Sequence, residues 1–272
     1  MTVGQGQLTA VQKTALMTMY GKALDARAGD SILGDTLAAA AVRKMDFDFT
    51  TLNLAKGAEI SLPVRAKQLD GWTREFLAAH PDATVLHLGC GLDTRVYRVD
   101  PSPDVRWYDV DLPEIIELRR QLYPERAGYQ MLSRSITDPD WIEQLPADRP
   151  VIAVGEGLVM HLPVAEVVTL FKRIMGAFPS GEFAFDVYAA STAKTITMAT
   201  KFSRTPVQLH SGLPQALRAQ VPDLKLTDSV PFLTLPDLVS RMSGNVVARL
   251  FYRAVEAGFM KDSILHLRYR FA

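Results

Sequence analysis

The spacing of the hydrophobic residues changes near residue 80. Before this point apolar residues recur every three or four positions, which is typical of amphipathic helices. The predicted helices cover residues 8–28, shorter stretches between 35 and 54, and residues 58–79. Thr9 and Gln12 have the spacing of a capping box at the start of the first helix. We therefore expect residues 1–80 to form an all-helical addition.

After residue 80, short apolar runs alternate with helical periodicity. The predicted strands cover residues 84–88, 105–110, 129–133, 150–155, 182–188, 224–230 and 264–271. The predicted helices cover 113–122, 138–144 and 164–177, with further helical material at 236–257. Such alternation is typical of a doubly wound, mostly parallel sheet with helices on both faces. The pattern weakens over about 190–260, which we interpret as decoration of a core domain at 81–272.

Composition narrows the classes of protein that fit. The chain has 272 residues, 48% of them hydrophobic, and a formal net charge of zero. This balance gives no electrostatic case for binding nucleic acid or an anionic membrane. No apolar run approaches the roughly 18 residues of a membrane helix, and residues 1–7 lack the features of a signal peptide. Because Cys90 is the only cysteine, a disulfide framework or multi-cysteine metal site is excluded. We expect a soluble cytoplasmic protein without a metal.

Candidate chemistry begins where the first predicted strand ends. The strand at 84–88 is followed by Gly89, Cys90 and Gly91, and the next strand ends near Asp111. Open α/β sheets bind ligands at the carboxyl ends of their strands, and glycines there let the backbone approach a ligand closely. An acid at the end of the second strand can accept hydrogen bonds from ribose hydroxyls. The pattern predicts a cofactor that contains a nucleoside.

Two residues distinguish between cofactors. A dinucleotide fingerprint has a third glycine where this chain has Thr94, and the carboxylate of Asp93 beside it would repel a pyrophosphate. S-adenosylmethionine has no phosphate and carries cationic sulfonium and ammonium groups, so an acidic loop suits it better. The residues favour a methyltransferase. A nicotinamide-dependent oxidoreductase and a non-catalytic cofactor-binding scaffold remain as alternatives.

Three separated motifs then carry a family resemblance: HLGCGLDTR at 87–95, YDVDLP at 108–113 and GEGLVMHLP at 155–163. With shorter matches among residues 8–66, they resemble the leucine carboxyl methyltransferase superfamily. Within it they are most similar to the bacterial branch named for tetracenomycin polyketide O-methyltransferases. The similarity extends from about residue 8 to 178 and weakens over 190–260, where contacts to the substrate are expected.

The resemblance implies an S-adenosylmethionine-dependent methyltransferase with a seven-stranded sheet and an N-terminal helical lid. It implies that Arg65 pairs with the methionine carboxylate and that Glu156 faces the cationic methionine end. Asp111 takes the ribose hydroxyls, with Asp109 as the second choice. The other implied cofactor contacts are Gly89, Cys90, Gly91, Leu112, Ser135, Ile136 and Gly157. Ser135 departs from relatives that have an acid at this position. From the residues alone, a solvated helix residue is the favoured interpretation of Arg65.

The acceptor decides whether a base is needed. Methyl transfer is an in-line displacement in which holding the two reactants in alignment supplies much of the rate. A carboxylate is already anionic at neutral pH, whereas a phenol, with a pKa of about 10, would gain from a base. His161 and Tyr20 are the candidate catalytic residues, although many relatives have tyrosine at position 161. We expect methylation of a carboxylate, or of a phenolic hydroxyl, on a small secondary metabolite.

Overall fold

Seven strands form one mixed sheet in the computed structural model, which describes residues 8–52, 54–201, 207–244 and 246–272. The strands are β1 Thr84–Leu88, β2 Arg106–Asp111, β3 Tyr129–Ser133, β4 Val151–Gly155, β5 Gly181–Tyr188, β6 Lys225–Pro231 and β7 Ile264–Phe271. Their order is β3-β2-β1-β4-β5-β7-β6. The first five strands run parallel, and β7 is antiparallel to both β5 and β6. The predicted doubly wound, mostly parallel sheet is confirmed.

Helices precede the sheet and connect its strands. They are α1 Ala10–Asp25, α2 Thr36–Lys44, α3 Ala58–Ala79, α4 Arg95–Val99, α5 Pro113–Leu122, α6 Val164–Ala177, α7 Ala190–Thr200, α8 Leu213–Gln220, α9 Pro236–Met242 and α10 Val246–Glu256. At the start of α1, the Thr9 side chain and the Gln12 amide group cap each other's backbone N–H groups, which confirms the predicted capping box. The sequence prediction did not include the short helix α4.

The helix predicted over 138–144 is wrong, because this segment consists of turns. Side chains compete there with the helical backbone pattern: the indole of Trp141 donates to the carbonyl of Ile136, and the carboxylate of Asp138 accepts from the N–H of Ser135. Pro139 also lacks the N–H that a helix interior would use. The chain therefore crosses from β3 to β4 without a helix.

Side chains alternate between the two faces of the sheet. Leu86 and Ala153 belong to one hydrophobic cluster, whereas their neighbours Val85 and Ile152 belong to another on the opposite face. Continuous apolar strands of this kind are expected when both faces of a parallel sheet are covered. Within the described residues, no helix is long and apolar enough to cross a membrane.

The N-terminal helices pack beside the parallel part of the sheet. Buried residues of α1 and α2 form one cluster with Leu92 of the loop after β1 and with Leu118 of α5. This contact brings the amino-terminal segment to the edge where β1, β2 and β4 end. Residues 1–7, on which the prediction about a signal peptide rested, lie outside the described residues.

Candidate active site

The loop after β1 and the acid at the end of β2 are hydrogen-bonded to each other. Gly89 and Gly91 have positive φ angles of 57° and 52°, which favour glycine. The N–H of Gly91 donates to Oδ2 of Asp111 over 2.7 Å, and the N–H of Leu112 donates to Oδ1 over 2.7 Å. Burial raises the pKa of Asp111, while these two bonds oppose the shift. Because a carboxylate offers about four acceptor positions, Asp111 can still accept further hydroxyl groups.

Asp109 lies deeper in the same strand and has a different role. It is fully buried, and its carboxylate accepts from the side chains of Trp107, Tyr129 and Arg119 and bonds the His87 ring. The charge of Arg119 and the His87 contact hold its pKa below the usual value, at about 2, against the effect of burial. With its oxygens taken by these partners, Asp109 has no exposed surface for a ribose. We therefore withdraw it from the predicted cofactor contacts.

Asp109 acts on the glycine loop through its ion pair with Arg119. The Arg119 guanidinium is fully buried and donates to the carbonyl oxygens of Gly91, over 2.9 Å, and Asp93, over 2.7 Å. Asp109 neutralises this cation within the core. Asp109 thus stabilises the glycine loop indirectly, through the cation that donates to the loop carbonyls. His87 is a buried core residue as well, in contact with Asp109 and Arg95.

Arg65 of α3 meets the turn after β4. Its Nε lies 3.3 Å from Oε1 of Glu156, and its Nη1 lies 3.7 Å from Oδ2 of Asp186. Burial lowers the pKa of Arg65, but the two carboxylates raise it more, so the net shift is upward. The guanidinium also lies against Gly157, where an added Cβ would be 3.0 Å from Nη2. The structure therefore brings Arg65, Glu156 and Gly157 together, as the resemblance implies, and rules out a solvated Arg65.

Lys22 is a functional candidate that the sequence analysis missed. It is buried at 2% exposure, and its Nζ lies 3.1 Å from both Asp93 and Glu156. Arg95 reaches the same two acids from the other side, at 3.4 and 2.6 Å. The nearby cations Lys22, Arg65 and Arg95 therefore outweigh burial and hold the pKa of Glu156 at about 2. A lysine within the apolar stretch of α1 was the one available signal.

A second tier of charges joins α2, α3 and α4 beneath the loop. The hydroxyl of Thr94 donates to Asp35, the residue that caps α2, and Arg98 bonds both Asp35 and Asp70. Arg95 also bonds Asp70, over 2.8 Å. Thr94 thus fixes α2 to the cofactor loop. This contact gives a structural reason for threonine where a dinucleotide fingerprint has glycine.

A small apolar void of about 10 Å³ lies at the carboxyl ends of β1 and β4, with room for no more than about one water molecule. Its lining includes Leu88, Ile136, Gly155 and Leu158. Leu158 covers the open side of Gly89, where an added Cβ would be 2.5 Å from its methyl group. Ile136 is buried, and Ser135 hydrogen-bonds the hydroxyl of Thr137 over 2.8 Å at the entrance to the same turn. The contacts of Ser135 and Ile136 to the adenine remain predictions.

The residues proposed for catalysis occupy different surroundings. His161 is exposed in a 3-10 helix after β4. Partial desolvation lowers its pKa, and Asp186, Arg65 and His210 are the charged or titratable groups that act on it. Tyr20 stacks on Phe49 with ring centroids 5.0 Å apart. Cys90 is buried, which raises the pKa of its thiol and keeps it protonated.

The charges at this edge fit S-adenosylmethionine. Buried or nearly buried carboxylates outnumber cations; they are Asp35, Asp70, Asp93, Asp109, Asp111, Glu156 and Asp186 against Lys22, Arg65, Arg95, Arg98 and Arg119. S-adenosylmethionine carries two cationic groups and one carboxylate, so its net positive charge complements the surplus. A pyrophosphate, in contrast, would increase the surplus of negative charge.

Comparisons with known proteins agree with this geometry. Residues 15–175 match the family model described as leucine carboxyl methyltransferase. A tetracenomycin polyketide synthesis O-methyltransferase of Streptomyces glaucescens is 38% identical over 234 residues, covering 85% of this chain and 87% of the relative. An S-adenosyl-L-methionine-dependent methyltransferase of Gibberella zeae is 34% identical, covering 67% and 68%. An S-adenosylmethionine-dependent methyltransferase structure from Mesorhizobium loti, 14% identical, has a TM-score of 0.50 over 75% of this chain and 99% of its own and shares the fold.

Proposed function

Because this chain belongs to the leucine carboxyl methyltransferase family and is an S-adenosylmethionine-dependent methyltransferase, we propose that it methylates a carboxylate oxygen of a small secondary metabolite. The carboxylate part of this proposal is carried by the match of residues 15–175 to the leucine carboxyl methyltransferase model. The metabolite part is supported by the relative from Streptomyces, which is 38% identical and is named for O-methylation in polyketide synthesis. The acceptor is expected to be a polyketide that carries a carboxyl group.

Each end of the cofactor has a proposed partner in the chain. Arg65 takes the methionine carboxylate, because a guanidinium offers two parallel donors to a carboxylate. Glu156 faces the ammonium and sulfonium groups, and Lys22 holds Glu156 in place from α1. Asp111 accepts the ribose hydroxyls. The remaining contacts are proposed for Gly89, Cys90, Gly91, Leu112, Ser135, Ile136 and Gly157.

The protein's work in the reaction is mainly binding and orientation. When bound, S-adenosylmethionine supplies a methyl group on a sulfonium, which is electrophilic without further activation. The chain holds the methionine end between Arg65 and Glu156 and the ribose at Asp111, which fixes the direction of the reacting bond. Alignment of this kind replaces a rare bimolecular encounter. A carboxylate acceptor is already ionised, so the exposed His161 is proposed to bind the acceptor and not to remove a proton.

The N-terminal helices are proposed to cover the cofactor. Lys22 of α1, Asp35 before α2 and Arg65 of α3 each bond a group at the edge of the sheet. These contacts support a closed position of α1, α2 and α3 over the domain at 81–272. A closed cover excludes water, and a drier site strengthens the attraction between opposite charges.

Thermal unfolding tests the cofactor site. Saturating S-adenosylhomocysteine is expected to stabilise the wild type by roughly 2.7 kcal/mol at about a hundred times its Kd, which raises Tm by several degrees. Arg65→Ala is expected to lose this shift. Lys67→Ala, on the same helix but paired with Asp237 at the surface, is the matched control and is expected to keep it. A shift with NADH alone would contradict the assignment.

A matched pair of acceptors tests the reaction. Anthracene-2-carboxylic acid and 2-hydroxyanthracene differ in the oxygen that they offer. With trideuteromethyl S-adenosylmethionine, mass spectrometry is expected to show a labelled ester of the acid that alkaline hydrolysis removes. Transfer to the phenol alone would contradict the carboxylate proposal and favour a role for His161 as a base.

A further inference from the structure

Asp186 is a buried acid at the active-site edge that neither the family motifs nor the cofactor roles above account for. It lies near the end of β5 and is fully buried. Its Oδ1 accepts the N–H of Gly157 over 2.6 Å. Its Oδ2 has no hydrogen-bond partner among the described residues and lies 3.7 Å from Nη1 of Arg65. A buried carboxylate oxygen without a hydrogen bond is costly unless a nearby charge compensates.

The acid therefore acts on Arg65 through two routes. Through Gly157 it fixes the turn against which the guanidinium lies. This turn has a φ angle of 62°, and an added Cβ would lie 3.0 Å from Nη2 of Arg65. Through its free oxygen it attracts the guanidinium directly. Both acids raise the pKa of Arg65, Asp186 through its charge and Glu156 through its charge and a side-chain hydrogen bond.

We infer that Asp186 is a positioning residue of the cofactor site: it holds Arg65 in place when Glu156 turns its charge to the cofactor's ammonium group. This inference rests on the proposed roles of Arg65 and Glu156. Arg65 has two carboxylate partners, on its Nε and Nη1 sides. Once the cofactor competes for Glu156, the contact with Asp186 is the one that remains. A pre-positioned guanidinium loses less freedom on binding a carboxylate.

The neighbour on β7 agrees with this division of roles. His266 is directly opposite Asp186 in the antiparallel pair. It is fully buried, and neither ring nitrogen has a hydrogen-bond partner among the described residues. Burial lowers its pKa, so the ring is neutral at pH 7. A neutral ring does not compete with Arg65 as a cationic partner of Asp186.

The experiment compares two ligands by calorimetry. S-adenosylhomocysteine has the methionine carboxylate, and 5′-methylthioadenosine lacks the amino-acid part but keeps the ribose and adenine. Asp186→Asn keeps an acceptor for Gly157 and removes the charge. We expect this variant to raise the Kd of S-adenosylhomocysteine by about tenfold or more. The Kd of 5′-methylthioadenosine should change by no more than about twofold. In the Arg65→Ala background, Asp186→Asn is expected to have no further effect on either ligand.

Glu182→Gln is the matched control. Glu182 is a buried acid on the same strand, but its partners are Arg268 and Arg270 at the other end. We expect this variant to lose stability while keeping the affinity ratio of the two ligands. If Asp186→Asn does not fold, Asp186→Glu, which keeps the charge, is expected to give a ratio between those of the wild type and Arg65→Ala.

Three results would overturn the inference. The first is an equal rise in the Kd of both ligands in either Asp186 variant, and the second is an unchanged ratio of the two Kd values in both variants. The third is a loss of affinity in the double variant that equals the sum of the losses from Asp186→Asn and Arg65→Ala. Failure of the proposed function looks different. If Arg65→Ala itself does not change the ratio, the assignment of the methionine carboxylate to Arg65 is wrong, whatever Asp186 does. If Arg65→Ala changes the ratio and Asp186→Asn does not, only the positioning role fails.

Discussion

The two sides of the active-site edge are built differently. On the cofactor side, Lys22 and Arg95 are at most 2% exposed, and each lies within 3.5 Å of Asp93 and Glu156. On the C-terminal side, α10 buries Tyr252 and Val255 but leaves Val247 77% exposed and Leu250 58% exposed. The first side fixes its geometry by pairing charges within the chain. The second keeps apolar surface uncovered.

This difference matches what each side has to recognise. In our proposal the charged side binds the cofactor, for which a rigid arrangement of charges can be kept. The apolar side is proposed to meet the acceptor, and apolar surface discriminates little between molecules of similar shape. Val247 and Leu250 lie beyond residues 15–175, which match the family model. The four changes that follow alter one side or the other.

The largest effect is expected from Arg95→Met. Arg95 is fully buried against Asp70, Asp93 and Glu156, and removing it leaves acids without their cation. We expect the free energy of unfolding to fall by about 3–5 kcal/mol, measured by urea denaturation. Arg106→Met removes a surface partner of Asp148 and is expected to change little. Similar losses in both variants would contradict the comparison.

The next effect is a dependence on pH. The native pKa of Glu156 is about 2, below its ordinary 4.5. A lowered native pKa stabilises the fold above the unfolded pKa, and this contribution is lost as the pH falls from about 4.5 towards 2. We expect the free energy of unfolding of Glu156→Gln to fall less steeply than that of the wild type in this window. Parallel curves would show that the charge of Glu156 does not stabilise the fold.

Asp111→Asn is expected to affect binding more than stability. The amide removes the charge that accepts ribose hydroxyls in our proposal. A hydrogen bond to a charged group contributes about 1.5–3 kcal/mol, so we expect the Kd of S-adenosylhomocysteine to rise by about tenfold or more. Calorimetry with 5′-methylthioadenosine should show a similar loss, because this ligand keeps the ribose. A loss confined to S-adenosylhomocysteine would contradict the assignment.

The smallest effect on folding is expected from Val247→Ser on α10. Its side chain is mostly exposed, so the free energy of unfolding should change by no more than about 0.5 kcal/mol. Val255→Ser, on the same helix but 1% exposed, is expected to cost more, because it buries a hydroxyl in place of two methyl groups. If the exposed face binds the acceptor, Val247→Ser should raise the KM for the acceptor and leave that for the cofactor unchanged.

Much of the fold was predictable because local patterns decide it. The periodicity predicted α3 at 58–79 and α6 at 164–177 with the bounds that the structure has. It failed at 138–144, where side-chain bonds and Pro139 replace a helix by turns. Helical periodicity over so short a stretch carries little weight against such bonds.

The candidate site was predictable where its residues stand next to a strand end. Gly91 follows β1 and Asp111 ends β2, so the sequence analysis predicted both at the same ligand-binding edge. The hydrogen bond between them was not predicted and comes from the structure. Lys22 was missed because its ion pairs join residues far apart in the chain. A lysine on a helix is ordinarily solvated, and nothing local marks it as buried.

The sequence by itself determined the strand–loop–acid arrangement, since alternating hydrophobic runs and glycines specify it locally. The family resemblance ranked Asp111 ahead of Asp109, but only the tertiary structure gives the physical reason. Residues two apart on a strand share a face, so alternation cannot tell them apart, and their neighbours decide. Arg119 and His87 enclose the first, and the second remains at the open edge. The same holds for Asp186, whose partner Arg65 comes from a distant helix and is brought to it only by folding.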